Sequence, residues 1–323
     1  MKYDNCNLWT GRHHKVMFAF LVQTTLKGEK HMNKEAMKQQ ILEALSKKLG
    51  DSFHLSIQKV LKTNEKLDGL TIRHGSENIS PTIYLESFYE ALGNGMSIDD
   101  VVDRILQIYS DSKVYPRHFD TAPFLTYDLP RKKIYVELVN RHLNRELLQD
   151  VPHRQFLDDF AVIVRCMVSA TENETASFLV HNYHLNLWGV DQESLISHAI
   201  HNTRAMMGAS LQNMGNVLQS MAQDFKEVEA SDCPFWVLSN KKRVAGAVTV
   251  LFDDILKDFT RKYGSFYVIF SSVHEALLLP ESCGLDIISL TRMNLDVNMM
   301  QVQANEILGT KAYYYSKDKG FIF

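Results

Sequence analysis

The 323-residue chain lacks the short motifs that identify several large enzyme classes. It has no G-x-x-x-x-G-K-[ST] loop and no G-x-G-x-x-G turn, so the common cradles for nucleotide phosphates are missing. It has no G-x-S-x-G sequence, which carries the nucleophilic serine of many hydrolases. These absences exclude P-loop, Rossmann-type and nucleophile-elbow enzymes and leave less familiar chemistry open.

Cysteine is scarce, and no two cysteines form a C-x-x-C pair. Zinc ribbons and thioredoxin-type redox sites are therefore excluded. The four residues Cys6, Cys166, Cys233 and Cys283 lie far apart, which is typical of free thiols in a reducing compartment. We expect a cytoplasmic protein.

Long hydrophobic runs and an excess of one charge are also missing. The run VMFAFLV at residues 16–22 is far shorter than the ~20 apolar residues of a membrane-spanning helix. A net charge of −3 gives no general attraction to nucleic acid or to an anionic membrane. The partner classes left open are a small anionic ligand and another protein.

What the chain does contain is a 45% hydrophobic composition with alternating helix-like and strand-like patterns, which predicts an α+β fold. The first strong helix pattern begins at Met32, and residues 208–232 are polar and methionine-rich. We predict a tail or non-core extension at 1–31, an N-terminal α+β region of antiparallel strands and helices at 32–207, a linker or helical connector at 208–232, and a C-terminal domain at 233–323.

The C-terminal domain has a regular order of patterns. Strand-like FWVLS (235–239) precedes a helical pattern over 243–263, two strand-like runs, a second helical pattern over 286–308, and strand-like KAYYYS. This β-α-β-β-α-β order predicts a ferredoxin-like split βαβ domain, with SSVHE (271–275) as the turn of its central hairpin.

Several peptides resemble an uncharacterised family of bacterial proteins. They are ENISPTIYLE (77–86), VPHRQFLDD (151–159), LWGV (187–190), SSVHEALLLP (271–280) and YYY (313–315). The resemblance runs from about residue 32 to the C-terminus, and the C-terminal half is also distantly similar to a second uncharacterised bacterial family. It implies an intracellular bacterial protein and supplies no catalytic residue.

His274 and Glu275 are the first candidate site. The zinc motif H-E-x-x-H is not completed, because Leu278 occupies its fifth position. An acid/base pair with Asp158 or Asp159 as a third member remains open. Neighbouring residues of a strand point to opposite faces, however, so a structural role in the hairpin turn is favoured.

A cluster of histidines is the second candidate. His181, His184, His198 and His201 lie within 21 residues, and imidazole is the commonest metal ligand. His198 and His201 fall on the solvent side of the helix after Asp191, and no acidic or cysteine partner is evident. We predict no metal site and no cofactor.

The third candidate is SNKKR, residues 239–243, at the predicted start of a long helix. Cations are unfavourable at a helix N-terminus, and a bound anion would offset this. Ser239 or Asn240 would then cap the helix, with Lys241, Lys242 and Arg243 around a phosphate or carboxylate. The alternative is that these side chains are only solvated.

The absence of a recognised catalytic group favours a non-enzymatic binding or interaction protein. The alternative is a hydrolase or transferase acting on an anionic, phosphate-type substrate, using SNKKR with His274, Glu275 and Asp158. Convergence of these side chains in one cleft would favour the enzyme, and their separation would favour the binding protein.

Overall fold

The computed structural model describes residues 33–77, 80–111, 120–170, 175–221 and 233–322. The chain divides into two compact units. The first comprises Met1–Val60 and Leu67–Phe119, and the second comprises Leu61–Lys66 and Asp120–Phe323. This division differs from the predicted linker at 208–232. The predicted tail, residues 1–31, lies outside the described residues, as do residues 222–232.

The first unit combines helices with a three-stranded sheet. Its elements are α1 (Lys34–Leu49), β1 (Phe53–Lys62), β2 (Glu65–His74), β3 (Thr82–Tyr84), α2 (Glu86–Gly93) and α3 (Ile98–Asp111). The sheet order is β1-β2-β3. Ile41, Leu70 and Ile105 are fully buried in the core that these elements form.

The second unit contains two antiparallel sheets. Its elements are α4 (Pro130–Lys133), β4 (Ile134–Asn140), β5 (His153–Phe156), β6 (Phe160–Ala170), β7 (Thr175–Leu179), α5 (Asn182–Trp188), α6 (Gln192–Met207), β8 (Ser210–Asn213), α7 (Met214–Met221), β9 (Trp236–Ser239), α8 (Asp253–Tyr263), β10 (Phe266–Ile269), β11 (Ala276–Pro280), α9 (Ile287–Met300), β12 (Ala312–Ser316) and β13 (Gly320–Ile322). Strand β6 pairs with β4, β5 and β7, and the other sheet has the order β13-β12-β10-β11-β9-β8. The α+β class is confirmed.

The main core of the second unit draws on both sheets. One buried cluster joins α6 and α8 to alternate residues of three strands. Examples are Val136 of β4, Val164 of β6, and Phe266 and Val268 of β10. The opposite face of β10 and β11 packs against α9 in a smaller cluster. The period-2 alternation of these strands therefore supplies two buried faces.

The ferredoxin-like arrangement is not confirmed. In a ferredoxin-like sheet the second strand lies at an edge, whereas β10 lies between β11 and β12, and β9 lies on the other side of β11. The predicted linker also contributes a strand, because β8 pairs with β9 at the edge of the sheet. Patterns along the chain predicted most strands but not their neighbours, which depend on long-range packing.

The helix predicted over 243–263 is also wrong in its first half. A 3₁₀ helix occupies Gly246–Leu251, and α8 begins only at Asp253. Ala245 has a left-handed φ of 49°, which prevents a helix from passing through it. The apolar residues of this stretch are buried on several sides, so their helical spacing does not describe one helix face.

Among the described residues, no helix has both the length and the apolar character needed to cross a membrane.

Candidate functional site

The predicted anion loop is held by its own polar side chains. Ser239 Oγ donates to the backbone oxygen of His274 at 2.7 Å. Asn240 is 0% exposed; its Nδ2 donates to the oxygen of Val244 at 2.6 Å, and its Oδ1 accepts from the N–H of Lys242 at 3.0 Å. Ser239 and Asn240 therefore fix the loop, and the α-helix that follows it, α8, begins only at Asp253.

Backbone strain accompanies this loop. Arg243 and Ala245 have φ values of 55° and 49°, a region that is costly for residues other than glycine. Arg243 donates from Nη2 to Gln212 Oε1 at 2.9 Å, and Lys241 lies against Gly208. The side chains of Lys241, Lys242 and Arg243 are exposed.

His274 meets this loop, and its ring is already engaged. The N–H of Ala245 donates to Nδ1 at 3.2 Å, and Nε2 lies 3.2 Å from Glu306 Oε1. An Nδ1 that accepts a backbone N–H carries no proton itself, so Nε2 is the protonated nitrogen of the neutral ring. With its side chain 30% exposed, His274 is partly buried in the turn between β10 and β11.

The three predicted acid/base residues do not converge. Glu275 Oε1 accepts from Ser272 Oγ at 2.8 Å and so closes the hairpin turn. The carboxylate of Asp158 forms no hydrogen bond or ion pair with His274, with Glu275 or with any other described residue. The structure gives the trio no shared geometry for proton transfer.

The neighbouring carboxylate, Asp159, lies at the centre of a polar cluster. It accepts from the hydroxyl of Tyr313, and its Oδ2 lies 2.7 Å from Lys311 Nζ. Its Oδ1 lies 3.2 Å from His142 Nε2. Although partial burial opposes ionisation, these donors hold the pKa of Asp159 below its usual range. The carboxylate is saturated with partners, which fits a structural role.

The histidines separate into two groups. His181 Nδ1 lies 2.7 Å from Asp150 Oδ2, and its backbone N–H donates to His184 Nδ1 at 2.9 Å. Burial lowers the pKa of His184, which caps α5. His198 Nδ1 lies 3.1 Å from the Tyr127 hydroxyl. Within the described ranges, no group of three His, Cys, Asp or Glu residues is arranged to hold a metal ion.

The cysteines of the described residues are free thiols. Cys166 is fully buried in β6, and burial raises its pKa to about 12. The Cys166 side chain therefore remains a protonated, unreactive thiol at neutral pH.

A cavity of about 540 Å³ lies between α4 and α6. Its lining consists of Asp128, Arg131, Lys132, His198, His201 and Asn202. Asn202 fixes one wall, because its Nδ2 donates to the backbone oxygens of Arg131 at 2.8 Å and Ile134 at 3.0 Å. Pro130, at the first position of α4, sets the direction in which the chain enters this wall.

The cations of this cavity are not neutralised. Neither Arg131 nor Lys132 forms an ion pair with a described residue, and Asp128 is the one carboxylate among the lining residues. His198 and His201 add ring nitrogens from α6. The cavity therefore offers a net positive, hydrogen-bonding surface.

A second cavity, of about 660 Å³, shares His201 but has a different electrostatic character. Arg204 contacts both carboxylate oxygens of Asp254, at 2.8 and 2.5 Å, and Lys257 lies 3.8 Å from Asp253. Its cations are paired, so it attracts an anion less strongly than the cavity beside α4.

The sequence model of a family of unknown function, DUF5688, matches residues 34–317. The chain belongs to this family. Comparisons with characterised proteins and with solved structures gave no match.

Sequence reasoning about this DUF5688 member missed Arg131 and Lys132. The signal that could have found them is the basic run PRKK directly before strand β4. His198 and His201 were placed on the solvent side of their helix. His201 is exposed, and both line the cavity.

Proposed function

We propose that this DUF5688 protein is a non-enzymatic binding protein that holds a small phosphate- or carboxylate-bearing molecule in the cavity between α4 and α6. The observation that carries the proposal is the pair of cations, Arg131 and Lys132, beside two histidines in a concave site. An anion would supply the partner that neither cation has among the described residues.

The chemistry of the lining suits such a ligand. A guanidinium presents parallel N–H groups that match two oxygens of a carboxylate or phosphate, and an ammonium adds a point charge. On one side of the cavity, the Asp128 carboxylate would repel a purely anionic ligand. This carboxylate favours a ligand that also carries a hydrogen-bond donor, such as a hydroxyl or an amine.

The enzymatic alternative has less support. It requires the loop 239–243 to act together with His274, Glu275 and Asp158 on a phosphate-type substrate. Glu306 lies against His274, so an anion there would meet a carboxylate as well as the cations of the loop. The separation of Asp158 from the other two removes the third member of the mechanism.

Calorimetric titration with inorganic phosphate and with citrate, at constant ionic strength, tests the proposal. We expect wild type to bind at least one of these probes, and Arg131→Ala and Lys132→Ala each to weaken binding by about tenfold, since a charge-assisted hydrogen bond contributes roughly 1.5–3 kcal/mol.

Arg243→Ala is the matched control, because it removes an exposed cation from the loop predicted by sequence. Its binding should equal that of wild type. Loss of binding in Arg243→Ala with retention in Arg131→Ala would move the site to the loop. Absence of binding to both probes would refute the anion-binding function.

A further inference from the structure

Helix α9 buries polar side chains and exposes apolar ones. The residues that face the sheet are Leu290, Asn294 and Asn298, exposed by 0%, 1% and 6%. Both asparagines donate from Nδ2 to the backbone oxygen of Gly309, at 3.2 and 2.8 Å. The inner face of α9 is thus largely polar.

The outer face of α9 is apolar. Ile288 and Met299 are exposed by 71% and 73%, and Leu295 by 41%. Leu285, just before the helix, is exposed as well. Among the described residues nothing covers these side chains, and contiguous exposed apolar surface of this kind marks a contact with another molecule.

The spacing of the outer residues is that of a helix–helix seam. Within α9, Ile288, Arg292, Leu295 and Met299 follow one another at intervals of four, three and four residues, the a/d pattern of a coiled coil. From Ile288 to Met299 the stripe is about 17 Å long at 1.5 Å per residue. Its natural partner is therefore another helix with an apolar stripe.

The charges on and beside the stripe identify that helix. Arg292, in the stripe, and Asp296, beside it, are one turn apart, and neither forms an ion pair with a described residue. If two copies of α9 pack antiparallel about a two-fold axis level with position 294, midway between the two charges, Arg292 of each copy faces Asp296 of the other. The same arrangement sets Ile288 level with Met300 of the second copy, next to Met299.

We propose that the outer stripe of α9 is the interface of a homodimer, in which two copies of this helix pack antiparallel with two reciprocal Arg292–Asp296 pairs. Such an interface uses the same patch twice, as two-fold dimers do. A single seam buries less than the ~800 Å² per partner of a standard interface, so we expect dissociation in the micromolar range. The anion cavity is not part of this interface.

Sedimentation velocity of the full chain between about 1 and 100 μM tests the proposal. We expect a concentration-dependent monomer–dimer equilibrium for wild type. Arg292→Asp and Asp296→Arg should each raise the dissociation constant at least tenfold, because like charges then face each other. The double variant R292D/D296R should restore dimerisation, because the reciprocal pairs return with reversed sign.

Ile288→Glu should also dissociate the dimer, whereas Leu218→Glu, an exposed leucine of α7, should leave it unchanged. Circular dichroism confirms that each variant remains folded. A wild type that stays monomeric at 100 μM would overturn the proposal and leave the stripe to a different protein. A dimer insensitive to all the variants, or a double variant that stays monomeric while both single variants dissociate, would equally overturn it.

Discussion

At the scale of single residues, Asp159 is expected to stabilise the fold through its charge. Its pKa is depressed in the folded state by the Lys311, Tyr313 and His142 donors. A depressed carboxylate pKa gives stability that is present above the unfolded value near 3.9 and is lost as the pH falls through the folded value. The contribution of Asp159 is therefore complete at neutral pH and declines only in acid.

We predict that Asp159→Asn lowers the free energy of unfolding by roughly 1–3 kcal/mol at pH 7, since the buried Tyr313 hydroxyl and the half-exposed Lys311 and His142 lose a charged acceptor. The difference from wild type should shrink below about pH 4. Urea unfolding at a series of pH values measures this. Asp158→Asn is the control, because its carboxylate has no described partner, and a cost equal to that of Asp159→Asn would contradict the assignment.

The sequence could predict polar contacts only where the partners are close along the chain. Ser97 caps α3 through the N–H of Asp100, and Asp191 caps α6 through that of Ser194, each three residues away. Asp159 and Tyr313 are separated by 154 residues, and no local pattern links them. Arg131 is comparable, because its position opposite α6 follows only from the fold.

At the scale of elements, the connection from β9 to α8 is the tightest described segment. A Cβ atom on Gly246 would lie 2.1 Å from Ser239 Oγ, 2.5 Å from the backbone oxygen of His274 and 2.7 Å from the nitrogen of Asn240. Two of these three atoms belong to the backbone and cannot turn away. Glycine is required here by close approach.

We predict that Gly246→Ala destabilises the second unit by about 3 kcal/mol or more, because overpacking against backbone forces the loop to move. Thermal unfolding followed by far-ultraviolet circular dichroism, which reports on both units, measures this. Gly93→Ala, at the end of α2, is the matched control, since its new methyl group meets nothing within 4 Å and should cost close to nothing. A mild effect of Gly246→Ala would mean that the loop repacks easily.

Elements with a strong local pattern were predictable, and their pairing was not. Helices α1, α3 and α6 follow from apolar periodicity with a capping residue, and strands β4 and β6 from short apolar runs. The antiparallel contact of β9 with β11 depends on the loop at Asn240 and on Gly246. The role of Gly246 becomes visible only in the folded structure, where His274 lies against it. A six-stranded sheet therefore replaced the expected four-stranded one.

For the whole molecule, the length predicted two parts, and the structure has two units with separate buried clusters. Residues 210–213 are polar enough to resemble a linker, yet they add an edge strand to the sheet. Edge strands bury only part of their surface, so their sequences carry a weak apolar signal.

Because the two cores are separate, a substitution in one core should lower the stability of that unit and leave the other unit unaffected. Leu45 lies in the first core and Leu278 in the second, and both are 0% exposed. Truncating a fully buried leucine to alanine costs about 2–5 kcal/mol. Trp188 and Trp236 belong to the second unit, so in a Trp9→Phe background the fluorescence reports on that unit alone.

We therefore predict that Leu45→Ala shifts part of the far-ultraviolet dichroism transition in urea to lower concentration while the fluorescence transition stays in place. Leu278→Ala, the same substitution in the other core, should shift the fluorescence transition. Both variants are measured beside the Trp9→Phe parent. If Leu45→Ala displaced both signals together and by the same amount, the two cores would unfold as one cooperative system, and the division at Phe119 would have no thermodynamic counterpart.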